Sequence, residues 1–501
     1  VSVTAPDAAR SRARSAPPWL PLGLLVLLAA LLRFPTLGMQ SIWFDEAATW
    51  QLTQIPFGDM LSALPDRESN PPLFYVLEWL TTRVVGDSEA GLRLVSALAG
   101  TALVPVAFAI GRRIGGERTA IATAALVAVN PLLVWFSQEA RSYELVALLS
   151  AASLLLFLRA LDDERPRWLA WWALLSALAL CSHYFACFVL APQLLWLLWR
   201  HPRRRAVLAA IGLLALVALA LLPMLLAQRD NPYDIAGASI ATRLAQIPKQ
   251  FLLGYRGPLA AGSVVLGAAL SAGALWLLLR HVEQRVRERA LLVGAIGLCG
   301  LALPLAGAVL GADYLNARNL IPALVPLAAM LGAGFAALEP RRGWRVGAAL
   351  GTTLCLLSVA IVVAVAVDEE YQRPDWKGLA QALGDAGEDR AIVISPANGE
   401  VALQYYRRSM SMLPYAGREL REVDVVSVAG STGPGDPPRL PQQVGTAPSA
   451  GAWGPPQRTQ TDTYVTLRFR QPTATLLQPE PIATVRFSVL PPAVNLLPAS
   501  R

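Results

Sequence analysis

The chain is 501 residues long, 54% hydrophobic and 16% charged, with a formal net charge of +8. Soluble domains carry about 25% charged residues, so the deficit excludes an ordinary water-soluble globule. The basic residues sit in short loops between apolar runs, which favours anionic lipid over nucleic acid as their counterpart.

In chain order, Arg10, Arg12 and Arg14 precede an apolar stretch at 18–37. No small-residue cleavage site follows it before Asp45, so it is predicted to be a retained first helix rather than a signal peptide. Further spans are predicted at 93–111, 119–136, 142–158, 168–182, 184–199, 206–227, 259–279, 290–311, 319–338 and 344–367, which makes eleven. The segment 71–85 is short for a span and carries Glu78 and Arg83, so it is predicted to be an interfacial helix. The N-terminal arm and alternate connections then hold 20 Lys and Arg, against 8 in the opposite short loops, counted without Arg93 at a helix end. The positive-inside rule places the arm 1–17 in the cytoplasm. The loop 38–92, the connections near 137–141, 183 and 312–318, the loop 228–258 and the tail 368–501 fall outside.

The tail changes composition. QRPDWKGLAQALG reads as a helix, Ala391–Ser395 as a strand and Gly399–Arg408 as a second helix. TYVTLRFR and ATVRFSVL alternate as strands do. A stretch at about 430–460, rich in Gly, Pro, Ser and Gln, reads as a flexible insertion. All four cysteines lie in apolar runs without metal-ligand spacing and read as core residues.

Candidate chemistry gathers on the outer side. SIWFDEAATW, 41–50, sets Asp45 and Glu46 beside Trp43, Phe44 and Trp50. The acids are either ordinary loop charges or a general base beside the membrane, tuned by desolvation. They also offer oxygen ligands for Mg²⁺ or Mn²⁺, so the cofactor expectation is none certain, with a divalent cation left open. SQEARSYEL, 137–145, brings Glu139, Arg141, Tyr143 and Glu144 to a span boundary, where Arg141 either pairs with an acid or binds phosphate. ADYLNARNL, 312–320, places Arg318 against the charge bias, beside Tyr314 and Asn319. His183 and Tyr184 occupy a tight connection, where a lone His is either a hydrogen-bonding residue or a substrate contact. The sequence contains no P-loop, no GxGxxG after a strand and no GxSxG.

SIWFDEA, SNPPLFYVLEWL, QEARSYELVALL, SHYF and YLNARNLIPALVPL, in that order, resemble the GT-C glycosyltransferases over about residues 18–340. The resemblance is to the bacterial branch related to protein O-mannosyltransferases and the lipid A aminoarabinose transferase. It implies an all-α polytopic membrane protein of about eleven transmembrane helices, of GT-C type, spanning 18–367, with a small C-terminal extracytoplasmic α/β domain at 368–501. It also implies residence in the plasma (inner) membrane and inverting transfer of a sugar from a polyprenyl-phosphate donor to an envelope glycan, lipid or protein acceptor. By the same resemblance Asp45 matches the catalytic base and Glu46 its frequent neighbour. Arg141 and Arg318 fall at donor-phosphate positions, and Trp43, Tyr143, His183, Tyr184 and Tyr314 are substrate-binding candidates. Asn70-Pro71-Pro72 stands where many relatives carry His-Pro-Pro, so a role carried by that His does not transfer. The other reading, a transporter, flippase or binding scaffold for lipid-linked saccharides, calls for midplane polar residues and related halves, whereas here the charges gather at one face.

Overall fold

The computed structural model describes residues 19–163, 165–201, 203–229, 239–258, 260–337, 343–384, 390–430, 439–488 and 490–497. The N-terminal arm, part of the 228–258 loop and Arg341 and Arg342 lie outside them. Each of the eleven expected segments contains a helix. Among the described residues, seven helices are long and apolar enough to cross a membrane, and a bent pair makes an eighth. The chain is an integral membrane protein. Peripheral helices Arg205–Gln228 and Arg345–Val367 are 17% buried, whereas Tyr143–Asp162 and Ala317–Phe335 are 67% and 83% buried and form the centre of the bundle. Exposed Leu216, Leu219 and Leu356 on the outer helices are what a lipid-facing surface requires.

Two local breaks shape the site. Helix Glu117–Val129 ends at Asn130, and Pro131–Ser137 leaves at 55°. Pro131 has no N–H to continue the ladder, and the Asn130 Oδ1 accepts from the N–H groups of Leu132 and Leu133, starting a new helix. The second break is the 3₁₀ turn Ala317–Ala323, whose start is capped by the Asn316 side chain accepting from Arg318 N–H. Close packing of the helices depends on Gly100, where a Cβ would collide with the Ser137 and Glu144 side chains.

Between the first span and Leu94–Gly115 lie short helices Phe44–Thr53, Phe57–Arg67 and Leu73–Val85. The last covers the predicted interfacial segment and buries Phe74, Tyr75, Glu78 and Thr82.

The C-terminal domain is a six-stranded sheet: β1 Arg390–Ile394, β2 Ser411–Met412, β3 Arg418–Val428, β4 Gln457–Gln460, β5 Tyr464–Leu477 and β6 Ala493–Leu497, in the order β2-β6-β1-β3-β5-β4. The β1–β3 pair is parallel and the other pairs are antiparallel. Helices Trp376–Ala382 and Gly399–Tyr406 match the predicted ones. ATVRFSVL does not form a strand. Val485 and Phe487 are buried as its alternation demands, but among the described residues the backbone makes a single bridge, Val444 with Arg486, between the prolines at 479–481 and 491–492. Residues 431–438 of the expected insertion lie outside the described residues. The rest runs along the domain, with Trp453 edge-on to Phe469 and β4 paired to β5.

Candidate active site

Helix Phe44–Thr53 begins with the two acids in its first turn, where the helix dipole favours negative charge. The two side chains meet different partners. Asp45 accepts a hydrogen bond from Arg318 Nη1 at 2.9 Å, and the Arg318 side chain keeps 21% exposure. Glu46 is fully buried and takes both ends of Arg93, each at 2.7 Å, plus the Ala140 N–H at 3.0 Å. Burial alone would raise the Glu46 carboxyl, but Arg93 and, more weakly, Arg373 hold it below the ordinary range.

Arg141 is delivered by the segment behind the bend at Asn130. Its Nη1 donates to Glu68 at 2.7 Å and reaches the Asp45 carbonyl and Thr49 Oγ1 at 3.4 and 3.3 Å. Arg141 Nε and Trp43 Nε1 are buried donors without a hydrogen-bond acceptor among the described residues. Glu139 accepts from Arg373 Nη2 at 3.1 Å. Burial pushes Glu139 up to about 7, with Arg373 opposing and Glu46 and Asp45 adding repulsion. The network thus alternates four acids, Asp45, Glu46, Glu68 and Glu139, with four arginines, Arg93, Arg141, Arg318 and Arg373.

The aromatic candidates line one side of this network. Tyr143 packs on Phe136 at 4.7 Å and His183 at 5.7 Å, His183 on Phe185 at 5.2 Å, and Phe185 on Tyr314 at 6.0 Å. His183 is driven down to about 3 by burial and by Arg141 and Arg318, so it is neutral, and its Nδ1 accepts from Phe185 N–H. Tyr184 turns elsewhere: its hydroxyl donates to Gln228, whose amide donates to the carbonyls of Leu64 and Asn70. Arg243, on helix Ile240–Leu253, ion-pairs with Asp313 and donates to the Leu315 carbonyl, bracing the loop that presents Arg318.

An apolar cavity of about 150 Å³ opens beside the network, with Leu31, Trp135, Tyr255 and Val362 in its wall. It reaches the network at Gln40 and Trp135, both touched by Arg373, and at Tyr255, whose ring meets Phe136. Among the described residues, no three His, Cys, Asp or Glu side chains are arranged so that they could hold a metal ion. With Glu46 held by Arg93 and Asp45 by Arg318, the acid pair is not a ready cage for Mg²⁺ or Mn²⁺, and a cation would have to displace a guanidinium first.

Sequence reasoning singled out Asp45, Arg141 and Arg318, which converge. It passed over Arg93, which was set aside as a helix-end charge, and it gave Glu68 and Arg373 no individual role. A basic residue opening an apolar span on the acidic side was the available signal for Arg93.

The family described as dolichyl-phosphate-mannose-protein mannosyltransferase matches residues 69–227. Among solved structures, ArnT from Cupriavidus metallidurans bound to undecaprenyl phosphate is similar at a TM-score of 0.55 and 14% identity, covering 91% of this chain and 98% of that one. The apo state of ArnT gives 0.54 and 15%, covering 77% and 84%. The oligosaccharyltransferase AglB from Archaeoglobus fulgidus, in complex with an inhibitory peptide and a dolichol-phosphate, gives 0.50 and 12%, covering 77% and 63%. No curated protein matches the sequence. The fold is that of the GT-C glycosyltransferases.

Proposed function

We propose that the chain is an inverting glycosyltransferase that moves a sugar from a polyprenyl-phosphate donor to an extracytoplasmic acceptor. The observation that carries this reading is the placement of Asp45 against Arg318 at one end of a GT-C bundle, with the buried Nε of Arg141, which has no acceptor among the described residues, close by. A guanidinium matches phosphate oxygens in a bidentate fork, and a buried donor without an acceptor calls for one in the ligand. Arg318 uses one of its five donors on Asp45, so a donor phosphate competes for the same group and loosens the carboxylate.

In the reaction, Asp45 takes the acceptor's hydroxyl proton as its oxygen attacks C1 of the sugar. The C1–O bond to phosphate breaks on the opposite face, and polyprenyl phosphate leaves as an anion stabilised by Arg318 and Arg141. Glu46, locked to Arg93, positions the helix that carries Asp45. The ring layer Tyr143, His183 and Tyr314 offers stacking faces for the sugar, with Trp43 donating from its indole. The cavity beside Gln40 and Trp135 offers an apolar wall of the kind an isoprenoid tail would lie against. The similarity to ArnT, crystallised with undecaprenyl phosphate, supports a prenyl carrier of that class. The cytoplasmic arm and the external site remain the orientation proposed from the charge bias.

The test is sugar release from mannosyl, arabinosyl, glucosyl and aminoarabinosyl polyprenyl phosphates by the protein in lipid, with crude envelope as acceptor source. Turnover of one donor that Asp45→Asn abolishes is the expected result. Binding of the lipid phosphate without consumption of any donor would overturn the reading in favour of transport or scaffolding.

A further inference from the structure

We infer that Arg373, at the entrance to the C-terminal domain, is a positioning residue for Asp45. Resting on the glycosyltransferase reading, the inference makes the sheet domain a working part of the active site. Arg373 follows the last span and runs back into the network, where it is 5% exposed. Its backbone N–H and Nη1 both donate to the Gln40 side chain at 3.2 Å. Its Nη2 donates to Glu139 and to the Trp135 carbonyl, its guanidinium lies 4.3 Å over the Trp135 ring, and Nε stands 4.0 Å from Glu46. Arg93, the other cation on Glu46, bonds the carbonyls of Leu37, Gln40 and Ser41. Residues 37–46 are therefore held between two guanidinium groups, and Asp45 is the next side chain along from the one they grip.

The rest of the domain closes over the same segment. Ile42 N–H donates to the Tyr406 hydroxyl at 2.7 Å, Ser41 donates to Asp375, and Lys377 N–H donates back to Ser41. Gln51 bonds Gln404, Lys377 pairs with Glu89, and Arg408 pairs with Asp87, which also accepts from Trp50. One apolar core joins the two parts: Ile42, Ala47, Trp50 and Leu92 pack with Trp376, Leu379, Leu403 and Tyr405. The segment bearing Asp45 is thus packed against the sheet domain as well as the bundle. A side chain that must meet an acceptor hydroxyl within hydrogen-bond distance tolerates little drift, and a misplacement of about 1 Å can cost about 10²-fold in rate.

The experiment compares wild type, Arg373→Gln, Arg373→Lys and Tyr406→Phe as full chains in lipid nanodiscs. Amide exchange over 38–53, kcat and KM for the consumed donor, and affinity for undecaprenyl phosphate are measured together. Arg373→Gln is expected to lower kcat about 10²-fold while donor KM and lipid-phosphate affinity stay within about threefold. Exchange should rise over 38–53 and not in the spans. Arg373→Lys, which keeps the charge but not the fork, recovers about a tenth or more of the activity. Tyr406→Phe gives the same pattern in miniature. Unchanged kcat and exchange in Arg373→Gln would overturn the proposal, as would equal loss of kcat and lipid-phosphate affinity. If Arg373→Gln does not fold, Tyr406→Phe decides by whether it changes both kcat and local exchange. If wild type consumes no donor, the glycosyltransferase reading fails, while exchange over 38–53 still shows separately whether Arg373 holds the segment.

Discussion

Asp45 and Glu46 are adjacent in the chain but belong to two differently built halves of the charge network. In the Glu46 half, Arg93 and Glu46 are both fully buried, the carboxylate is met by a bidentate fork and an N–H, and the guanidinium also satisfies three carbonyls. In the Asp45 half, a single Nη1 bond joins the pair, Arg318 remains partly exposed, and neighbouring donors on Arg141 and Trp43 have no acceptor among the described residues. A buried pair with every bond made is difficult to open, because freeing either partner strands a charge in low dielectric. A half-satisfied pair at a partly open position is one a ligand can enter. Two acids one residue apart can therefore be architecture and reagent, and their partners decide which is which.

Substitutions separate the halves, beginning with the largest expected effect. Asp45→Asn should lower sugar transfer by about 10³-fold with little change in unfolding temperature, because a general base is removed while its shape is kept. Retained turnover would sink the base assignment. Arg93→Met should act in the opposite manner, costing about 3–5 kcal/mol of stability by leaving Glu46 buried without its partner. Adding Glu46→Met should return much of that loss, and chemical denaturation of both variants in detergent reads it. If Arg93→Met unfolds like wild type, the clamp half is less closed than its bonds indicate. Arg318→Gln should reduce kcat about 10²-fold, and Arg318→Lys less, since one charged donor on the leaving phosphate is lost or weakened. Equal activity of the Gln and Lys variants would argue that Arg318 serves Asp45 alone.

The span pattern, the acidic loop after the first span and the convergence of Asp45, Arg141 and Arg318 were legible in the sequence because charges beside apolar helices are costly and therefore informative. The clamp was not. Arg373 meets Gln40 across 333 positions, and Tyr406 meets Ile42 across 364, distances over which periodicity and composition carry no signal. Arg93 looked like a charge at a helix end, and only the fold shows it inside, against Glu46. The same limit appears in the sheet. Strand β3 went unread because Glu422 and Asp424 interrupt its apolar run, yet Asp424 is buried against Arg390 and Arg468 on neighbouring strands. ATVRFSVL had the alternation of a strand, but flanking prolines leave it a buried, mostly unpaired segment.

Glu139 stands where the two halves meet, and its titration offers the finest test of the comparison. Burial, with repulsion from Glu46 and Asp45, lifts its carboxyl to about 7 despite Arg373. A carboxyl with a raised folded-state pKa gives stability that is present below its unfolded value, near 4.5, and is lost as pH rises through about 7. Wild type should therefore lose unfolding temperature between about pH 5 and pH 8 relative to Glu139→Gln, whose amide stays neutral throughout. Glu78 is also buried and held well above the ordinary range, so the difference between the two curves is the quantity to read. Parallel curves would mean that Glu139 is already ionised by Arg373 at pH 5. The same pair of curves in the Arg373→Gln background should go on diverging to higher pH, because removing the guanidinium leaves burial and two acids to hold the proton on.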